Sequence, residues 1–397
     1  MSTNFSFAVA LSKLAAIGQL HLLAYWNELN DTQKDSLLSQ IETIDEKIFF
    51  EQQRLLVSPP TFSSELIEPF TSFVRSGNTE DEAVGHRLIE DGKMGCLLIA
   101  GGQGSRLNFD GPKGMFPITP ITHKTLFQLL AEKVLAASKR AKRPLQLAVM
   151  TSPLNHNTTV DFFQKNNFFG LEEGQISFFS QGMLPFLDKN GNLLLEGKDK
   201  IACGPDGNGG ALHHFYQSGL WDKWYEQGIR YLNFIPVDNP LADPFDAELI
   251  GYHERTQSDV IVKCIARSDP FEKVGVLAIQ NSKTMVMEYS EIPENLRMAV
   301  NADGSVKFPC AYIGLFSVNM EFIRSLNLGQ NLEIPLHLAF KSMAWKFEKF
   351  IFDVLPKANT VSGLLCPREE CFAPLKNFSG ADSPATVQQA LQRKGYL

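Results

Sequence analysis

Residues 94–117 read MGCLLIAGGQGSRLNFDGPKGMFP. An apolar run of the length of a buried strand ends at Ala100, Gly101, Gly102 and Gly104 crowd the turn that follows, and two cations come next, Arg106 and Lys113. Glycine backbones reach positive φ and let a ligand approach closely, so converging N–H groups can hold anionic oxygens, with a following helix N-terminus adding positive potential. A helix end contributes about 0.3 to 1 kcal/mol, whereas catalysis lowers a barrier by roughly 8 kcal/mol or more. The loop therefore needs full charges, and Arg106 and Lys113 are the candidates. The chain lacks the Gly-Lys-Ser/Thr of a Walker loop, and Leu107 stands where the dinucleotide fingerprint requires its third glycine. A phosphate-holding loop of another class is what remains.

Working outward, strands and helices alternate. The patterning predicts strands over 94–100, 145–151, 175–180 and 229–237, and helices over 123–143 and 158–166. This order predicts an α/β fold with a mixed, mostly parallel sheet and helices on both faces. Ligands of such sheets bind beyond the carboxyl ends of the strands, where the glycine loop, the segment at Gln181 and Asp238 can meet. Asp188-Lys189-Asn190-Gly191 reads as a hairpin turn. Residues 1–92 show helical periodicity instead: Leu14, Ile17, Leu20, Leu22, Leu23, Trp26 and Leu29 form one stripe, and Asn30-Asp31 caps the next helix. Pro59-Pro60 breaks the pattern, and residues 76–82 read as a loop. The expected division is an N-terminal helical segment, 1–92, packed on a catalytic domain, 93–380, followed by a C-terminal helix, 381–397.

Composition narrows the function. With 397 residues, 44% hydrophobic and 20% charged, the chain can bury a large core. A net charge of -7 argues against a nucleic-acid binder, whose footprint is basic. No apolar run is long enough to span a bilayer and no basic region precedes an apolar core at the N-terminus, so a cytoplasmic protein without membrane attachment is expected. The six cysteines, Cys96, Cys203, Cys264, Cys310, Cys366 and Cys371, form no CxxC pair and read as free buried thiols.

Several further segments carry chemistry. Gln181 follows an apolar strand, and its amide can read the edge of a pyrimidine or simply close a turn. Residues 205–210, PDGNGG, form a second glycine-rich loop in which Gly207 permits close approach and Asn208 can bond hydroxyls; a plain helix-entry turn is the alternative. His213 and His214 follow and read as structural or solvated. Asp238 leaves a buried strand, where one carboxylate with substrate phosphates is a usual way of holding Mg2+ and capping of the next turn is the alternative. Glu288 and Tyr289 lie in a strand-like piece, and Lys349 and Lys376 read as surface charges on their own.

The segment 97–114 resembles the nucleotide-binding signature of the eukaryotic-type UDP-sugar pyrophosphorylases, Leu-x-x-Gly-Gly-x-Gly-Thr-Arg-Leu followed by Pro-Lys-Gly, and most resembles the UDP-N-acetylglucosamine branch. QGMLP at 181–185, PDGNGG at 205–210, Val237-Asp238-Asn239, EYSE at 288–291, EKFIFD at 348–353 and APLKN at 373–377 are similar to the family's runs in the same order. The resemblance implies a Rossmann-like, GT-A-like nucleotidyltransferase fold and an Mg2+-dependent transfer of uridylyl from UTP to a sugar 1-phosphate. It implies that Gly101, Gly102, Gln103, Gly104, Gln181, Gly207 and Asp238 bind the nucleotide, and that Asp238 also binds the metal. Arg106, Lys113 and Lys376 would carry catalytic charge, with Lys349 a further phosphate contact, and Asn208, Glu288, Tyr289 and Tyr312 would face the sugar. The sequence departs from the family at Pro309-Cys310-Ala311-Tyr312-Ile313, where relatives have Asn-Ala-Gly-Asn-Ile. N-acetylglucosamine 1-phosphate is the expected substrate, glucose or galactose 1-phosphate the alternative, and a non-catalytic UDP-sugar-binding regulator the reading from another class. The family's further C-terminal domain is expected to be absent, and a monomer or weak oligomer is expected.

Overall fold

A computed structural model of the protein describes residues 5–58, 67–267, 269–328, 333–341 and 344–397. Pro59-Pro60 lies outside them. The chain divides into two compact units, one made of residues 1–61, 182–207 and 335–350 and the other of 62–181, 208–334 and 351–397. Elements are numbered in chain order across both.

The first unit begins with helices α1 (Phe7–Ala16), α2 (Asp31–Glu42) and α3 (Glu46–Val57). The stripe from Leu14 to Leu29 is not one helix: Gly18 takes φ 71° after α1, and the chain goes on as two short 3-10 turns, Leu20–Leu23 and Trp26–Glu28. Asn30 caps α2 as expected, in a reciprocal capping box with Gln33. Four short strands follow from the second segment, β6 (Met183–Pro185), β7 (Leu195–Gly197), β8 (Lys200–Ile201) and β9 (Cys203–Pro205), and the hairpin β15 (His337–Lys341) and β16 (Ala344–Glu348) from the third. The expected turn is present, closed by the Asp188 N–H to Asn192 O at 2.8 Å. Leu14, Leu37, Ile41 and Phe49 share one core with Leu184, Leu187, Ile201 and Phe347. The helical stripe thus finds its apolar partner in two segments far along the sequence, and the division expected at residue 92 does not hold. Glutamines of the first segment serve the backbone of the second: Gln19 Oε1 accepts from Leu193 N at 2.7 Å, and Gln52 Nε2 donates to Pro185 O at 3.1 Å.

The second unit holds an eleven-stranded sheet. Its strands are β1 (Ile67–Pro69), β2 (Phe73–Arg75), β3 (Met94–Ile99), β4 (Leu147–Thr151), β5 (Ile176–Ser180), β10 (Tyr231–Pro236), β11 (Val260–Ala266), β12 (Gly275–Gln280), β13 (Lys283–Met287), β14 (Cys310–Asn319) and β17 (Val361–Cys366). The path runs β2-β17-β11-β14-β10-β3-β4-β5; every pair along it is parallel except the two made by β14, and β12, β13 and β1 branch off from β14 as antiparallel neighbours. This is the mixed, mostly parallel sheet expected. Two of its strands, β1 and β2, lie before residue 92 where no strand was expected; three residues each is too short for a periodic signal. Residues 76–82 are only partly loop, because Asn78 caps helix α4 (Thr79–Glu90) through the N–H groups of Glu80 and Asp81.

The other helices of this unit are α5 (Leu126–Ala141), α6 (His156–Lys165), α7 (Ala211–Gln217), α8 (Leu220–Glu226), α9 (Ala247–Thr256), α11 (Met320–Leu328) and α13 (Pro384–Arg393), with single turns α10 (Glu294–Arg297) and α12 (Arg368–Cys371). A large core joins one face of the sheet to α5, α9 and α13. Helices α4 and α9 touch backbone to backbone: a Cβ on Gly85 would fall 1.7 Å from Ala247 O, and one on Gly251 1.8 Å from Asp81 O. Strand β3 continues to β4 on one side while β10 joins its other side, so the crevice beyond the carboxyl ends of β3 and β10 is the switch point where such sheets take ligands.

Candidate functional site

The glycine loop leaves β3 at that crevice. It is folded on itself: Gly104 N donates to Gly111 O at 2.8 Å, and Lys113 N to Gly102 O at 3.0 Å. Gly104 is needed because a Cβ would fall 2.7 Å from the Phe109 ring, whereas Gly102 faces open space. No α-helix starts directly behind the loop; the one expected over 123–143 begins further on. Two 3-10 turns, Ser105–Leu107 and Lys113–Met115, stand in its place, with Asn108 left-handed between them, and the next α-helix begins only at Leu126. The positive potential therefore has to come from side chains. Arg106 is exposed, as are Gly102 and Gln103, while Lys113 is half-buried.

Lys113 is the joint of the site. Its Nζ lies 3.2 Å from Asp238 Oδ2, just past β10, and donates to Leu375 O, also at 3.2 Å. Leu375 N in turn donates to Asp238 O at 2.7 Å. Glycine loop, strand end and the segment bearing Lys376 are thus tied within one cluster, although Lys113 and Leu375 stand 262 residues apart. The Lys376 ammonium is 5.7 Å from the centroid of the Phe372 ring, and its backbone N–H donates to Asp382 O.

Gln181, 7% exposed, packs on the loop: its Oε1 is 2.5 Å from where a Cβ on Gly101 would stand, so a larger residue there would push the Gln181 amide aside. Two residues that sequence reasoning missed hold this arrangement. Buried Asn155 donates to Ala100 O at 3.0 Å and Gly102 O at 3.4 Å. Buried Asn239 donates to Cys371 O at 2.7 Å and accepts from Ala373 N at 3.1 Å, positioning the approach to Lys376. Asn155 carried no sequence signal; Asn239 stood in a quoted motif behind its more conspicuous neighbour Asp238.

A second group gathers around Gly275, which pairs with Tyr312 across β12 and β14. Glu288 Oε2 lies 3.4 Å from where a Cβ on Gly275 would be. Register between β11 and β14 shifts just after Tyr312, a bulge in which Gly314 takes φ 75° and lies against Pro236 of β10. The Tyr312 ring meets Phe352 edge to face at 5.6 Å, and its hydroxyl oxygen is buried with no hydrogen-bond partner among the described residues. Burial, with the nearby Asp353 and Glu288 carboxylates adding to it, pushes this phenol well above its usual range, so it stays protonated and keeps an O–H to donate. The EYSE run is not a strand: β13 ends at Met287 and the chain turns, the N–H groups of Glu291 and Ile292 closing on Glu288 O. Tyr289 stays outside this group, its side chain 40% exposed and its carbonyl accepting from Arg297.

Asn208 was expected to offer its side chain to a ligand. Its Oδ1 instead accepts from Ile351 N at 2.9 Å, steadying the stretch before Phe352 and Asp353. His213 bonds Asn327 at 2.7 Å, a structural role. In the first unit, Gly207 takes φ 89° against the Lys349 backbone, where a Cβ would fall 2.3 Å from Lys349 O. Its freedom serves packing. Lys349 N donates to Asp206 O at 2.7 Å, and burial raises the Asp206 carboxyl while the Lys349 charge lowers it. Asp206 was a further residue that the sequence reading passed over.

The Asp238 carboxylate meets Lys113 at the loop, and no group of three His, Cys, Asp or Glu able to hold a metal forms among the described residues. That donor set fits an Mg2+ carried mainly by substrate phosphates, not one caged by protein. All six cysteines are free, as expected. Among the described residues no helix is long and apolar enough to cross a membrane.

Comparison with known proteins agrees with this geometry. The family model described as UTP--glucose-1-phosphate uridylyltransferase matches residues 60–380. UDP-N-acetylglucosamine diphosphorylase 2 of Arabidopsis thaliana is 31% identical over 96% of this chain and 83% of its own length. A probable UDP-N-acetylglucosamine pyrophosphorylase of Schizosaccharomyces pombe is 32% identical over 91% of this chain and 84% of its own. The crystal structure of the uridine diphosphate N-acetylglucosamine pyrophosphorylase from Trypanosoma brucei in complex with inhibitor superimposes with a TM-score of 0.84 at 28% identity, over 97% of this chain and 84% of that one. With the motifs, the sheet and the match all in agreement, the chain belongs to the UTP–glucose-1-phosphate uridylyltransferase family of nucleotidyltransferases.

Proposed function

We propose that this protein forms a UDP-sugar and pyrophosphate from UTP and a sugar 1-phosphate, with N-acetylglucosamine 1-phosphate the preferred sugar. The observation that carries the reading is the Lys113 cluster, which puts a cation, a carboxylate and the Lys376 segment beyond the ends of β3 and β10. In the reaction an anionic oxygen of the sugar phosphate bonds to the α-phosphorus of UTP while the bond to the bridging oxygen breaks and pyrophosphate leaves in line. No proton is transferred, so no general base is needed; positioning and charge neutralisation do the work. Gly101, Gly102, Gln103 and Gly104 would hold the nucleotide, with Gln181 on the base. Arg106 and Lys113 would neutralise the triphosphate and the departing pyrophosphate, and Lys376 would guide the incoming phosphate. Mg2+, when bound, would add charge neutralisation at the phosphates, and Asp238 would hold it. Glu288 and Tyr312 would read the sugar. Action as a monomer or weak oligomer in the cytoplasm completes the proposal.

One observation favours a second sugar. Tyr312 brings a ring, packed on Phe352, to the position where the family's runs carry a compact asparagine, which favours glucose or galactose 1-phosphate. Pyrophosphate release from UTP and Mg2+ should be followed with N-acetylglucosamine, glucose and galactose 1-phosphates. The highest kcat/KM is expected with the first. A preference for either other sugar would establish the second reading, and no turnover with any sugar would overturn the proposal.

A further inference from the structure

Strand β17 ends at Cys366, and the single turn of α12 brings the chain back to it at Cys371. Cys371 Sγ lies 3.5 Å from Pro367 O, which sets it beside the end of the strand. The two thiols are within hydrogen-bond reach of each other, and Cys366 also meets the Ser76 hydroxyl and the charge of Lys263. Ser76, Lys263, Cys366 and Cys371 all line one cavity of about 540 Å3. A cavity of that size admits molecules as small as water. Both cysteines are free thiols.

A reactive cysteine combines a stabilised thiolate with access. Burial pushes the Cys96 and Cys203 thiols up. Cys366 moves the other way, because the hydrogen bond from Cys371 and then the Lys263 ammonium outweigh its burial. Cys371 is raised by the same hydrogen bond and by burial, so it keeps its proton while Cys366 ionises. The pair thus has an attacking sulfur and, next to it, a second thiol to resolve the product.

We propose that Cys366 and Cys371 are an oxidisable dithiol, a modification site for hydrogen peroxide and other small hydroperoxides, and that closure of their disulfide slows uridylyl transfer. The Cys366 thiolate attacks one peroxide oxygen and the O–O bond breaks. The departing hydroxide takes up a proton and leaves as water, and Cys366 becomes a sulfenic acid. The Cys371 sulfur then bonds to the Cys366 sulfur and displaces the hydroxyl, which leaves with the Cys371 proton as a second water. Two thiols have lost two electrons and two protons, and the peroxide has been reduced to two waters. A dithiol reductant reverses the step by thiol–disulfide exchange.

The effect reaches the reaction site through the backbone. Cys371 O accepts from Asn239 at 2.7 Å, Asn239 accepts from Ala373 N at 3.1 Å, and Leu375 is bonded to both Asp238 and Lys113. Drawing Cys371 onto Cys366 pulls on the segment that ends in Lys376. The slowing, unlike the oxidation, rests on the uridylyltransferase reading.

Hydrogen peroxide is titrated into the whole reduced chain, remaining thiols are alkylated, and the products are digested with trypsin for mass spectrometry. Cleavage after Lys357, Arg368 and Lys376 puts Cys366 in the peptide 358–368 and Cys371 in the peptide 369–376. The two peptides are expected to be joined, two hydrogens lighter than their sum, and to separate with dithiothreitol. Both peptides recovered alkylated, or Cys366 driven to sulfinic acid without the link, would overturn the dithiol site. In pyrophosphate-release assays kcat of the oxidised native chain should fall roughly fivefold or more and return with dithiothreitol. Cys366→Ser should keep its kcat through the same treatment. An equal loss in Cys366→Ser, or a complete disulfide with unchanged kcat, would overturn the slowing. The disulfide formed in a chain that turns over no sugar would uphold the site while contradicting the uridylyltransferase reading.

Discussion

At Tyr312 a bulge in β14 and an edge-on contact with Phe352 fix a ring whose hydroxyl has no partner among the described residues. Such a group weakens the protein; in the proposed sugar-reading role it would gain its partner when substrate binds. Tyr312→Phe keeps the ring contact and removes the orphan. Its thermal midpoint without ligand should be equal or higher, by up to about 1 kcal/mol of stability, while KM for the sugar 1-phosphate rises roughly tenfold and KM for UTP stays unchanged. A lower midpoint with unchanged sugar KM would make the hydroxyl purely structural. At this scale the sequence was informative about which residues gather at the loop and poor on what the others touch. Lys113, Asp238 and Gln181 were legible from residue type and spacing. Asn208 and Gly207 were legible too, yet the side-chain oxygen of one bonds Ile351 N and the backbone of the other meets Lys349. Those contacts join distant segments, and no local pattern encodes them.

Among the elements, the central strands β3, β4 and β10 were readable because they are buried on both faces and form continuous apolar runs; they and β5, at the end of the path, fall within two residues of expectation. The failures were local backbone events. Gly18 interrupts a stripe whose periodicity alone implies one helix, and a turn of Glu288 follows β13 where residue types suggest more strand. Helix α9 offers a test of its own. His253 is fully buried: Nε2–H donates to Ser258 O at 2.7 Å, which leaves Nδ1 to accept from the Ser317 hydroxyl at 2.8 Å. Burial pushes its pKa down from 6.5 to about 4. The unfolded chain thus binds a proton more readily than the folded one, so this contribution is complete above pH 6.5 and is lost as pH falls toward about 4. The loss amounts to roughly 3 kcal/mol. Denaturant midpoints across that range should show the decline, with a shallower slope in His253→Gln; equal slopes would mean that other groups carry it.

For the molecule as a whole, alternation of strands and helices was enough to predict the sheet and to name the end of it at which the candidate site is sought. The division into two units was not legible, because the first is assembled from three separated segments whose shared core, with Leu14, Leu184 and Phe347, appears only when the chain is folded. What remains constant from sequence to structure is the loop at 94–117 and its dependence on full charges, made sharper by the absence of an α-helix behind it. The central claim is that Lys113 carries charge that grows as pyrophosphate departs. The direct measurement is kcat for pyrophosphate release by Lys113→Ala at saturating UTP, Mg2+ and sugar 1-phosphate. The account predicts a fall of about a hundredfold or more. An unchanged kcat would contradict it.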